Sequence, residues 1–88
     1  MLDDTLAKIK ALKAELRKLE SAHAAKARSV EGFADAAANE AARSPRSAKR
    51  VKLASDGLAD AASEFETTHP KLAAAVAEIC RELTSLGI

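Results

Sequence analysis

From residue 2 to residue 19 the apolar positions Leu2, Ile9, Leu12, Leu16 and Leu19 fall three and four residues apart, with Thr5 filling the gap. That step is the heptad pattern of a helix with one apolar seam. Asp3 and Asp4 suit the positive N-terminal end of such a helix. The same count continues through His23, Lys26, Val30, Phe33 and Ala37. Gly32 weakens a helix by ~1 kcal/mol relative to alanine, but the alanines around it favour continuation. The first hard stop is Ser44-Pro45. Proline disfavours helix in the residue before it, and Ser-Pro makes a good N-cap and first-turn pair for a new helix.

Counted backwards from the C-terminus, Leu86, Leu83, Ile79, Val76 and Leu72 repeat the pattern, and the series runs on through His69, Phe65, Ala62, Leu58, Ser55 and Val51. Each position has a counterpart in the first half such that the two residue numbers sum to 88, for instance Leu2 with Leu86, Ile9 with Ile79 and Val30 with Leu58. The centre of that symmetry is residue 44, at the Ser-Pro turn. Register and turn chemistry together predict an all-α, coiled-coil-like antiparallel helical hairpin forming a single domain over 1–88. Its first arm covers about 3–43 and its second about 45–86, each ~60 Å long at 1.5 Å per residue. Pro70 has no N–H and clashes one turn back, so the second arm should kink or break near 67–70. A division of the first arm at Gly32 would give instead a compact three- or four-helix bundle.

Beside the seam lie Leu6, Ala27, Ala34 and Ala41 on one arm, and Ala59, Ala73 and Cys80 on the other. A lone hairpin leaves one side of so wide a stripe wet. Two hairpins packed as a four-helix bundle would cover it, so a homodimer is expected, with the Ala-rich flank as the surface for any other protein. Pairing of two first arms in parallel would set Lys8 against Lys13 and Glu15 against Glu20, whereas an antiparallel pairing allows Lys8 to meet Glu15.

Composition narrows the rest. Eighty-eight residues with 48% hydrophobic content but only two aromatics, Phe33 and Phe65, give a small core rich in alanine. Fourteen basic and thirteen acidic residues nearly cancel, so the chain is no polycation seeking nucleic acid or membrane. The single cysteine, Cys80, allows no intrachain disulfide and fits a reducing compartment. No basic and apolar leader pattern follows Met1, and no apolar run approaches the ~20 residues a bilayer span needs. The expected location is the cytoplasm.

The stretch Phe65-Glu-Thr-Thr-His69-Pro70-Lys-Leu72 through Leu86-Gly-Ile88 resembles the C-terminal end of a family of short bacterial proteins, domain of unknown function 4404. That family reads Phe-Glu, two variable residues, His-Pro, one residue, Leu, then a helix ending in Gly-Ile. The likeness covers roughly 58–88, with His-Pro and Gly-Ile its most specific points, and residues 1–57 depart from it. The resemblance implies a small bacterial helical protein with no assigned activity.

Two features suggest chemistry. Glu20-Ser-Ala-His23 and Glu66-Thr-Thr-His69 are paired Glu-x-x-His motifs, which the hairpin register sets side by side. Di-iron carboxylate bundles use two such motifs with one further glutamate from each of two other helices, and no inward glutamate supplies those here. Glu20, His23, Glu66 and His69 are thus metal candidates only, and no cofactor is assigned. The plainer alternative is a polar layer with His23 against Phe65, His69 capping the helix at Pro70, and both glutamates in water. Arg43, Arg46, Lys49, Arg50 and Lys52 cluster at the turn, where cations oppose the dipole of the following helix. An anion such as nucleic-acid phosphate would compensate them, and so would Glu40 placed opposite Lys49 together with solvent. No aromatic interleaves the cluster, so nucleic-acid binding would be weak and unspecific. Cys80 sits three turns from His69 with Arg81 as the one positive neighbour in its own turn, so a small thiol filling the seam is expected, and no phosphate loop, zinc pair or Ser-His-Asp order is legible. The sequence predicts a homo-oligomeric interaction or scaffold module, not an enzyme.

Overall fold

A computed structural model describes residues 2–19 and 23–87. They form four helices and, among the described residues, no strand: α1 Leu2–Arg17, α2 Ala24–Ala42, α3 Ala48–Ala62 and α4 Pro70–Gly87, with a short 3-10 turn at Ser63–Phe65 after α3. The described residues span 39 × 19 × 18 Å, too short for arms of ~60 Å. Neither arm is continuous. α1 runs antiparallel to α4, tied to it from Thr5 and Lys8 to Glu82 and Glu78. α2 runs antiparallel to α3, with Glu40 beside Arg50 and Lys26 beside Glu64. The α1–α4 pair then doubles back onto the α2–α3 pair, so a four-helix bundle closes within one chain.

This corrects the expected long hairpin, and the first arm breaks elsewhere than at Gly32. Gly32 lies inside α2 facing open space. The break comes between Arg17 and Ala24, where α1 ends in tightened turns, Lys18 N–H to the Glu15 carbonyl at 3.1 Å and Leu19 N–H to that of Leu16 at 3.3 Å. No proline or glycine stands there, so no strong sequence breaker marks the end of the helix. In the second arm residues 66–69 turn, and Pro70 takes the first position of α4, where its missing N–H costs nothing.

Doubling the arms widens the buried stripe of each helix, because every helix now faces two neighbours. α2 buries Ala27, Val30, Ala34, Ala37 and Ala41, while Phe33, expected in the seam, is 41% exposed. Its ring lies over Gly57 of α3, where an added Cβ would sit 2.4 Å from it. Ala27, Ala34 and Ala41, assigned to a partner from sequence, are therefore core residues within the chain. Along the second arm Val51, Ser55, Leu58, Ala62, Phe65, Val76, Ile79 and Leu83 are buried, and Leu72 and Leu86 pack against them half-buried. Helix α3 starts three residues beyond the expected Ser44-Pro45 cap. Its N-cap is Ser47, whose hydroxyl accepts the Arg50 N–H at 3.3 Å, leaving residues 43–47 to bridge α2 and α3.

Candidate functional site

At the end of the bundle where both arms double back, His23 and His69 meet Phe65. The His23 and His69 rings stand edge-on at 5.2 Å between centroids, with Phe65 5.5 Å from His69 and 6.2 Å from His23. Phe65 is fully buried, so the imidazoles act as its lid. His69 Nδ1 lies 3.0 Å from the Thr68 hydroxyl, and its carbonyl accepts the Ala73 N–H. Of the remaining metal candidates, Glu66 is exposed and Glu20 lies outside the described residues. Among the described residues no three His, Cys, Asp or Glu side chains gather as ligands would.

The opposite end carries the basic turn, which the structure places almost entirely in intramolecular contacts. Arg46 Nε–H donates to the Ala41 carbonyl at 2.8 Å and its Nη1 donates to the Leu86 carbonyl at 2.9 Å. One guanidinium thus ties the C-terminal carbonyls of α2 and α4, where a cation suits both helix dipoles. Glu40 stands beside Arg43 at 3.8 Å and Arg50 at 4.0 Å, not beside Lys49 as the register suggested. Lys52 pairs with Asp56 at 2.8 Å. Replacing Arg46 by glutamine is expected to cost about 1 kcal/mol, because a neutral, shorter amide cannot reach both carbonyls. Replacing Lys49 should cost almost nothing. Urea midpoints of the two variants measure the difference, and equal midpoints would refute the tie.

Between α1 and α4 the surface opens into a groove of about 500 Å³ lined by Ala7, Ala11 and Leu86, continuing into one of about 360 Å³ over Leu72, Ala75 and Ile79. Lys8 bridges it to Glu78 at 3.0 Å and to Glu82, whose other carboxylate oxygen accepts the Thr5 hydroxyl at 2.9 Å. Sequence reasoning missed this latch and paired Lys8 with Glu15 of another chain. In the structure Glu15 pairs with Lys18, just past the end of its own helix. The missed signal was positional: Lys8 and Glu82 each immediately precede a seam residue, Ile9 and Leu83.

Hydrogen bonding to Glu82, then to Glu78, raises the Lys8 pKa above the ordinary lysine value of 10.5. The Lys8 bond, then the Thr5 hydroxyl, holds the Glu82 carboxyl below its usual range. The depressed Glu82 contributes stability above the ordinary carboxylate range that is lost as pH falls through its lowered value. The raised Lys8 contributes below the ordinary lysine value and loses it as pH climbs through its elevated one. The thermal midpoint of Lys8→Gln should therefore lie below wild type near neutrality and converge with it in strong acid and strong base. Added salt should narrow the neutral gap, since both groups are solvent-accessible. A gap unchanged across that range would exclude the latch.

Cys80 is half-buried between α3 and α4. Its Sγ–H donates to the Ser55 carbonyl at 3.4 Å in the α3–α4 contact, and burial pushes its pKa up. No helix among the described residues is long and apolar enough to cross a membrane.

The family model described as Domain of unknown function (DUF4404) matches residues 3–88. The chain belongs to this family. Membership extends across the alanine-rich first half as well as the C-terminal segment that carried the resemblance, which corrects the narrower span of 58–88. Comparison with curated proteins and with solved structures finds no match.

Proposed function

We propose that this member of the DUF4404 family is a self-associating helical interaction module, not an enzyme, working in the reducing bacterial cytoplasm, where Cys80 stays a thiol. The observation that carries the reading is the layered construction. An α1–α4 pair lies on an α2–α3 pair through apolar seams, and only the connections at the His23–His69 end hold the two layers in one chain. Surfaces that complementary serve a second copy as well as they serve the chain's own other half. Sedimentation equilibrium from micromolar to millimolar concentration tests it. A mass rising to twice that of the chain is expected, and a concentration-independent monomer would end the reading.

A second reading, docking of another protein, falls on the α1–α4 groove and not on the buried Ala27–Ala34–Ala41 stripe. Apolar surface there lies open beside Lys8, Lys71, Glu15 and Glu78, a rim suited to an amphipathic helix bearing both charges. Chemical-shift changes confined to the groove on adding such a peptide would support it. Metal binding and polyanion binding are disfavoured. The candidate metal ligands described reduce to a histidine pair and a glutamate, and Arg43, Arg46, Arg50 and Lys52 already have partners in the chain.

A further inference from the structure

We propose that two copies associate by exchanging halves: both connections at the His23–His69 end open, and the α1–α4 layer of one chain seats on the α2–α3 layer of the other. The proposal rests on the self-association reading and specifies its mechanism.

The second arm keeps its phase through the break. Ser55, Leu58, Ala62, Phe65, His69, Leu72, Val76, Ile79, Leu83 and Leu86 follow steps of three and four without a slip, although the chain reverses between Phe65 and Pro70. In the first arm Val30 and Ala37 keep the count from Leu16, fourteen and twenty-one residues on, while Ala27 and Ala34 are buried one residue beyond the counted positions Lys26 and Phe33. A chain meant only to fold back has no need to conserve seam phase across its turns. A chain that also straightens does need it, because its seam must then run unbroken along each arm.

The connection between α3 and α4 is also close to helix. Ala62, Ser63 and Glu66 keep right-handed helical backbone angles, and no described residue has positive φ. The His69 N–H already bonds the Phe65 carbonyl at 2.8 Å, four residues back, and the Ala73 N–H that of His69 at 3.1 Å. Among the described residues no side chain caps the start of α2, where His23 stands at the N-cap position without bonding an N–H. The start of α3, at the turn that stays closed, has the Ser47 cap. Among the described residues, side-chain capping thus marks the turn that stays closed and not the start of α2.

Opening both connections regenerates two straight hairpins, each with its α1–α4 and α2–α3 pairings intact. Two of them packed antiparallel restore every α1–α2 and α3–α4 contact between chains, including the Arg46–Leu86 tie. The product is a four-helix bundle ~60 Å long built from the same seams as the 39 Å monomer. Its specific obstacle is Pro70, which in an unbroken arm would clash with the turn before it.

Isotope-mixed cross-linking decides the matter. Equal amounts of light and ¹⁵N-labelled protein are unfolded together, refolded at high concentration and separated by size, and the dimer is treated with a carbodiimide that joins amines to neighbouring carboxylates. Lys13 and Asp35, 2.6 Å apart between α1 and α2, report contact between layers, and Lys8 with Glu82 reports contact within one layer. Exchange predicts that about half of the Lys13–Asp35 products join a light to a heavy peptide while Lys8–Glu82 products stay unmixed. A dimer in which both products stay unmixed overturns exchange and leaves self-association standing. A strict monomer overturns both. Pro70→Ala removes the obstacle and should tighten the dimer by about tenfold or more. An unchanged or weaker dimer from a folded Pro70→Ala protein overturns the straightened arm.

Discussion

Phe65→Ala is expected to cost about 3–5 kcal/mol of folding stability. Phe65 is the largest fully buried side chain in the described structure, and it sits where the two layers are joined. Its ring meets His23 from the start of α2 and His69 from the start of α4, so truncation leaves a void bounded by both connections. Collapse around that void is limited, because the imidazoles are held by backbone that must reverse direction there. A domain of this size holds a total of order 5–15 kcal/mol, so the loss removes a large share. A fall in melting midpoint of at least 10 °C is expected by circular dichroism, at ~4–8 °C per kcal/mol for a chain of this length. A drop of only a degree or two would mean that the end of the bundle is not packed as described. Phe33→Ala serves as the comparison: the other phenylalanine is 41% exposed, so its removal should be several-fold milder.

That contrast between the phenylalanines marks where sequence reasoning ends. All-helical character was legible because steps of three and four recur from Leu2 to Leu86 and only Pro45 and Pro70 interrupt them. The seam of the second arm was legible too, from Val51 through Leu83. The doubling over of the first arm was not. Between Arg17 and Ala24 there is no proline or glycine, so nothing as strong as Pro45 or Pro70 marks that break in the sequence. Phe33 and Ala34 exchanged roles as well. A seam count assumes one facing partner, whereas α2 faces both α1 and α3 and buries the neighbouring alanines instead. At the basic turn, sequence located the cations but not the geometry that hands Arg46 two helix ends.

Leu58→Ala is expected to cost ~3–5 kcal/mol, and Leu12→Ala, an identical change in chemistry, closer to 2 kcal/mol. The difference comes from what surrounds each cavity. Leu58 is fully buried in α3, the helix packed closely against both α2 and α4, and it lines neither part of the α1–α4 groove. Its loss leaves an apolar void whose walls are two tightly seated helices. Leu12 is also almost fully buried, but it forms part of the floor of the α1–α4 groove beside Leu72 and Ile79. Deleting its side chain enlarges an existing opening, which α1 can narrow by settling toward α4 with Lys8 as the pivot. The residual void is then smaller, and cavity size sets the spread among otherwise identical truncations. Denaturant unfolding of both variants measures the pair, with equal slopes required for the comparison to hold. Equal losses would show that α1 is seated as firmly as α3, and the groove would then be a fixed feature of the surface rather than a yielding one.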